Sequence, residues 1–323
     1  MSTDTSAPTA GIVVVGSLNA DLTIYCDRLP KPGETVHGNG FAVNPGGKSA
    51  NQAVAASKLG AQVSLVGAVG DDANGSMLLD STADAGVDVT RVRRSDAATG
   101  VAVISVDASG ENSIIISAGA NGTLTPADVR AAADAIKNAA VVCLCLEVAI
   151  DTVIAAAQAG HDAGATVLLN LSPYAEVPEV LAELSDVLLV NAHEASLFLG
   201  GEADVPDADA KAEAWEPVRS QFADRGLQRV LVTLGAHGSV VLDSLAQGTQ
   251  DQITRIAPTR VSAVDTTGAG DAFTGAVAAR LAAGESLADA AGFASVAAAL
   301  AATKKGTQAA YPTLAQVEQL RGV

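Results

Sequence analysis

The feature that most limits what this chain can fold into is a repeated alternation of short apolar runs with helical patterns. From about Ala139 onward, VVCLCL (141–146) precedes a helical stretch from Ile150, TVLLNL (166–171) precedes one near Pro178, and DVLLV (186–190) precedes one from Ala192. Runs of this length read as buried parallel strands joined by crossover helices. The rhythm starts near the N-terminus, where IVVVG (12–16) and VSLVG (63–67) flank a helical segment at Gly47–Leu59. Later come VLVTLG (230–235), the pair GSVVLD (238–243) and DQITRI (251–256), and two alanine-rich helices at about 269–283 and 286–302. Hydrophobic residues make up 49% of the chain but aromatics only 3%, so small aliphatics must fill the core. That suits close-packed layers of helix on sheet better than a β-sandwich.

Two regions break the rhythm. Residues 20–43 hold two strand-like runs around a Pro/Gly turn, and 99–118 reads as a hairpin turning at Asp107–Gly110. Together they predict a small β-sheet, a lid inserted into one large domain spanning 11–323, with residues 1–10 as a flexible N-terminus. The runs GVAVISV and SIIIS are apolar nearly throughout, and a sheet with two apolar faces needs cover on both. One face would close over a substrate and the other would meet a second subunit.

A formal charge of −17, from 36 Asp+Glu against 19 Lys+Arg, argues against nucleic acid or an anionic membrane as partner. A phosphate ligand would have to be met locally, by helix N-termini and a divalent cation. Cys26, Cys143 and Cys145 imply neither a disulfide framework nor a zinc site, and buried thiols are the simpler reading. The first residues lack the charge and apolar pattern of a secretory signal, and no uncharged apolar stretch approaches a membrane span, so a cytoplasmic location is expected.

In an open parallel sheet, ligands bind beyond the carboxyl ends of the strands, so polar residues that follow apolar runs are the candidates. Asn19 and Asp21 follow IVVVG, two apart and on one side of an extended segment. Gly46-Gly47-Lys48 opens a helix whose Asn51 shares a face with Lys48. Glu147 ends VVCLCL, Asn191 and Glu194 follow DVLLV, and Thr233 with Gly235 ends VLVTLG. The most specific segment is Asp265-Thr-Thr-Gly-Ala-Gly-Asp271, leading into an alanine-rich helix. Gly268 and Gly270 let backbone approach a ligand, and the free N–H groups of the first helical turn make an anion hole. Asp271 lies inside that turn, where the helix dipole favours an ionised carboxylate able to accept a proton. An Asp at a helix start is ordinarily a cap, as Asn191 could be for the helix after it, but two glycines and a second acid six residues earlier favour chemistry. Alone, Asn19 and Asp21 would be turn residues, Lys48 a solvated lysine, Glu147 a strand-end charge, His193 a bystander and Trp215 a packing residue. Convergence on one sheet edge carries the sharper reading. A Walker P-loop fails because Ala42 stands five before Gly47, and a dinucleotide fingerprint fails at Phe273.

Taken in order, GSLNAD (16–21), PGETV (32–36), NPGGKSANQAVAA (44–56), Asn191–Glu194, TLGAHG (233–238) and DTTGAGDAFTG (265–275) resemble the ribokinase-like PfkB family of carbohydrate kinases over essentially the whole chain. The resemblance implies a three-layer α/β/α domain with a mostly parallel central sheet, and a β lid that doubles as a homodimer clasp. It implies transfer of the γ-phosphate of Mg-ATP to a sugar hydroxyl, with Asp271 as base and Gly268, Ala269 and Gly270 as anion hole. Asn19, Asp21, Gly47, Lys48, Asn51, Glu147 and Asp271 would hold the sugar, with apolar lid contacts from Ala102 and Ile104. Asn191 and Glu194 would organise Mg²⁺-phosphate, while Thr233, Gly235, Gly238, Gly270 and Ser295 would serve the nucleotide. A monovalent cation, K⁺, is expected at Asp265, Thr267, Ala301, Lys304, Gly306 and Ala310. Three positions depart from the family: Ser49 replaces a usual glycine, Ala310 a frequent serine, and Ser295 a larger polar residue. D-ribose phosphorylated at O5 is the leading expectation. Another sugar or nucleoside (deoxyribose, pseudouridine or adenosine) or a silent sugar-binding regulator are the alternatives.

Overall fold

The computed structural model describes residues 11–201, 205–248 and 251–322; residues 1–10, read above as a flexible N-terminus, lie outside them. Its strands, in chain order, are β1 (Gly11–Val15), β2 (Asn19–Cys26), β3 (Gly38–Gly46), β4 (Val63–Gly70), β5 (Asp88–Ser95), β6 (Gly100–Val106) and β7 (Asn112–Ser117). They continue with β8 (Ala139–Leu144), β9 (Thr166–Asn170), β10 (Val187–Asn191), β11 (Arg229–Thr233), β12 (Ser239–Asp243) and β13 (Ile253–Ile256). Nine form one sheet in the order β13-β12-β11-β10-β9-β8-β1-β4-β5. Pairing is parallel from β5 to β11 and antiparallel for the last two strands.

Alternation along β1 shows why the sheet is covered twice. Ile12 and Val14 enter a core shared with the helices Lys48–Lys58, Ala269–Ala282 and Leu287–Ala301. Val13 and Val15 enter a second core that includes Val153 and Ala157 of the helix Ile150–Ala163, together with Trp215 and Phe222. Successive side chains of a strand point to opposite faces, so an apolar run without polar interruption requires a helix layer on each side. The result is a three-layer α/β/α arrangement. No helix among the described residues is long and apolar enough to cross a membrane.

The helices Lys48–Lys58 and Ala269–Ala282 cross at Gly275, where a Cβ would stand 2.5 Å from the Gln52 carbonyl and 2.7 Å from Ala55 Cβ. Only a glycine allows the backbones this close, and the contact brings the opening turns of both helices to the same edge of the sheet.

The other four strands form a small sheet in the order β3-β2-β6-β7. It extends the 20–43 segment at both ends, to Asn19 and Gly46, and is mixed, since β2 runs parallel to β6. The hairpin turns as its sequence requires: Asp107 Oδ1 accepts from the Ser109 and Glu111 amides, and Gly110 takes φ 87°. Registered residues share a face, so Asp21, Asn44, Ala102 and Ile116 form one row, with Thr23, Ile104 and Ile114 on the same side. The opposite face carries Ile24, Phe41, Val43, Val103 and Ile115; Phe41 is 64% and Ile115 71% exposed.

Candidate active site

Asp271 is the third residue of its helix and is 8% exposed. Its two carboxylate oxygens accept hydrogen bonds from Asn51 Nδ2 (2.9 Å) and Gln52 Nε2 (3.1 Å). Burial pushes this carboxyl above the ordinary aspartate range, and Lys48 with the two amide donors pulls only part of the way back. The helix start therefore does not by itself keep the group ionised, as the sequence alone suggested; burial outweighs it, and the neighbouring charge and donors are needed.

Beside this carboxyl lies a second polar centre around Glu147, where one Oε2 accepts from Ser17 Oγ (2.6 Å), the Lys48 backbone N–H (3.0 Å) and Asn19 Nδ2 (3.5 Å). Asn19 Oδ1 in turn accepts from Asn121 Nδ2 (2.8 Å), and Asn121 also grips both backbone groups of Leu18. Asp21, on the inner face of the small sheet, has its carboxyl pushed up to about 7, by burial first and then by Glu147 and Asp271, against the opposing pull of Lys48. Burial alone would lower the Lys48 ammonium, but the fields of Asp271, Glu147, Cys145 and Glu194 carry it above the ordinary lysine value. One lysine thus stays charged among several acids. Ser49 does not face this cluster: its Oγ lies 3.0 Å from Cys145 Sγ, against the close approach of Gly16.

Gly268 caps the Asp271 helix at φ 73°, and a Cβ there would stand 2.7 Å from the Tyr311 hydroxyl. Glycine is required both for the left-handed turn and for contact with that buried phenol. The Ala269 amide is already bonded to the Thr266 carbonyl (3.1 Å), which removes it from the anion hole expected at 268–270. The amides of Gly268, Gly270 and Asp271 have no acceptor among the described residues, so three donors remain at the helix start.

Behind this turn, Asp265 accepts from the Thr267 N–H (2.9 Å) and the Gly306 N–H (2.9 Å). Burial opposes its ionisation, yet these donors and the Lys305 charge hold the carboxyl below the ordinary aspartate range. Among the described residues the carbonyls of Thr267, Lys304 and Gly306 accept no hydrogen bond, while that of Ala301 accepts from the Lys304 amide at 3.3 Å. Free carbonyls beside a carboxylate are hard oxygen donors, which suit a hard cation. Ala310 adds no side-chain oxygen.

Farther along the edge, Asn191 and Glu194 form a reciprocal capping box: Asn191 Oδ1 accepts from the Glu194 N–H (2.8 Å), and Glu194 Oε2 from the Asn191 N–H (2.9 Å). Thr233 stands opposite Asn191 in the β10–β11 register, and Gly235 and Gly238 flank the turn into β12. Ser295 Oγ donates to the Ala257 carbonyl (3.3 Å) and accepts from the Thr259 N–H (3.2 Å), which commits its hydroxyl to the loop after β13.

The 9–314 segment matches the model of the pfkB family carbohydrate kinases. The chain belongs to this family. Among curated relatives, it is 35% identical to a ribokinase of Schizosaccharomyces pombe over 95% of this chain and 96% of that one. It is 36% identical to a deoxyribokinase of Salmonella typhi over 95% and 97%. The Arabidopsis thaliana ribokinase complexed with ribose and ATP superposes with a TM-score of 0.85 at 32% identity, covering 96% of this chain and 98% of that one. The fold is thus the ribokinase-like one expected. Several groups that shape this site escaped the reading of the sequence: Ser17, Gln52, Asn121, Tyr311 and Gln308, whose Nε2 donates to Asn51 Oδ1. Gln52 and Ser17 lie within the motifs named above, but Asn121 reaches the site from the 3-10 turn Gly119–Thr123 and Gln308 from a loop, neither carrying a marked spacing, so the sequence gave no signal for them.

Proposed function

We propose that this chain phosphorylates D-ribose at O5 at the expense of Mg-ATP. The carrying observation is a buried carboxyl, Asp271, held by two amides in the same helical turn that presents three free backbone donors. A proton acceptor and an oxyanion cradle are thereby fixed to one rigid element. In the proposed reaction the O5–H proton passes to Asp271 as O5 attacks the γ-phosphorus. The bond from that phosphorus to the bridging oxygen breaks, ADP leaves, and charge on the transferred group is met by the amides of Gly268, Gly270 and Asp271. Asn19, Asp21, Lys48, Asn51 and Glu147, with the Gly47 turn, supply donors and acceptors for a polyol, and Ala102 and Ile104 line the lid side.

Asn191 and Glu194 offer the one or two hard oxygen ligands that Mg²⁺ takes besides phosphate and water, and the ion would neutralise phosphate charge. Thr233, Gly235, Gly238 and Ser295 would border the nucleotide. Asp265 and the carbonyls of Thr267, Lys304 and Gly306 would hold K⁺, with Ala301 and Ala310 adding little. The deoxyribokinase relative makes deoxyribose the second substrate to weigh. A coupled ADP-release assay across ribose, deoxyribose and nucleosides tests the substrate, with ribose expected to give the highest kcat/KM. Asp271→Asn is expected to lower kcat by about 10²–10⁴-fold with little change in sugar binding. Near wild-type turnover in that variant would remove Asp271 from the role of base.

A further inference from the structure

Each amide that holds Asp271 is itself gripped from behind. Gln308 Nε2 donates to Asn51 Oδ1 (3.0 Å), and the Cys143 thiol donates to Gln52 Oε1 (3.4 Å). Cys143 is fully buried, and Gln52, Asn51 and Gln308 are at most 5% exposed, so none of these bonds competes with bulk water. A primary amide has two ends, and a carboxylate can only accept. Turned over, either amide would present its oxygen to Asp271 and its NH₂ to a donor, leaving four buried groups mismatched. An unmatched buried polar group is costly, so a donor behind each amide selects the orientation that serves the carboxylate.

We propose that Gln308 and Cys143 are positioning residues that lock the Asn51 and Gln52 amides donor-first onto Asp271, keeping this carboxyl aimed and ionisable. The proposal rests on the reading of Asp271 as base. Burial drives the Cys143 thiol far above the ordinary thiol range, so it stays a donor wherever the protein is folded. The charged groups that bear on Asp271 are Lys48, which favours its ionisation, and Glu147 and Asp21, which oppose it, while the Cys143 thiol and the Tyr311 phenol are kept neutral. Loss of a rear donor frees one amide to turn, removes a hydrogen bond to the ionised form and raises the pH at which the base loses its proton.

The test compares Cys143→Ala, Cys143→Ser and Gln308→Met with the wild type, using kcat against pH at saturating ribose and Mg-ATP and the thermal midpoint of each variant. Cys143→Ala is expected to lower kcat about tenfold and to move the acid limb of the profile to higher pH. Cys143→Ser, which keeps a donor in the smaller side chain, is expected to restore both. Gln308→Met is expected to reproduce the shift through the other arm, and it decides the matter if Cys143→Ala does not fold. An acid limb unmoved in Cys143→Ala and Gln308→Met, or moved as far in Cys143→Ser as in Cys143→Ala, overturns the proposal. With Asp271→Asn inactive, that outcome leaves the base assignment standing. Full turnover by Asp271→Asn would instead sink the assignment, and the proposal with it.

Discussion

Asp21, half-buried, and Asp271, buried, are two carboxyls that share the field of one ammonium, Lys48, with Glu147 adding a third acid. The site therefore binds protons readily until a ligand supplies compensating donors. For Asp21 the folded-state value of about 7 lies above the ordinary aspartate range, so the folded chain holds this proton more tightly than the unfolded one. Its contribution to stability is complete below the unfolded value and is lost as pH rises through about 7. Asp21→Asn should thus gain thermal midpoint on the wild type as pH rises from about 6 to 8, in the absence of sugar. A sugar hydroxyl donates to the ionised form, so the KM for ribose should fall over the same range and level off above it. A pH-independent KM together with a constant difference in midpoint would show that Asp21 is ionised throughout. Legibility at this scale was uneven. Glu147 follows an apolar run, and Lys48 and Asp271 open helices after glycines, so they stand out by place, whereas Asn121, in a short 3-10 turn, and Gln308, in a loop, lie more than 100 and 250 residues away from their partners, where no local pattern marks them.

At the scale of elements, the site depends on how closely two helices approach. Gly275→Ala places a methyl 2.5 Å from the Gln52 carbonyl, and relief requires the helix Lys48–Lys58 to move away. The expected cost is about 1–3 kcal/mol of stability, read by denaturant unfolding, with a larger loss in kcat than in sugar affinity because Asn51 and Gln52 leave Asp271. Equal stability and equal kcat would mean that the crossing tolerates the methyl. The turn Asp265–Asp271 carries a separate expectation. With Asp265 drawing Thr267 and Gly306 together, K⁺ should raise kcat in a titration at constant ionic strength against a bulky organic cation, and Asp265→Asn should blunt the response. Full activity without any alkali cation would show that protein contacts alone hold the turn. The sequence announced both helices within about two residues, since alanine-rich stretches with a Gly entry are locally unambiguous. It did not announce β5 (Asp88–Ser95), a polar edge strand whose DVTRVRRS run lacks the apolar signal of the interior strands. Nor did it reveal that the Ala269 amide turns back to Thr266, because that depends on the final geometry of the turn.

For the whole molecule, the apolar outer face of the small sheet and the net charge of −17 pull in opposite directions. Phe41 and Ile115 are far more exposed than residues of their size ordinarily are, and burying them against a second copy would offset the repulsion between two acidic chains. A homodimer through this face should therefore tighten with added salt and dissociate when Ile115 is replaced by Asp, with the monomer retaining its fold. Sedimentation at micromolar concentration, at low and high salt, checks both; a monomer under every condition would leave that face to some other role. The division of the site between two sheets has a kinetic consequence. Asp21, Ala102 and Ile104 ride on the small sheet, while Lys48 and Asp271 lie in the first turns of helices packed on the large sheet and Glu147 follows its strand β8. A sugar held between the two, as proposed above, would be a rivet through two plates. If the phosphorylated product leaves only when the plates part, kcat at saturating substrate should fall as a viscosogen is added, and a kcat indifferent to viscosity would place the slow step elsewhere.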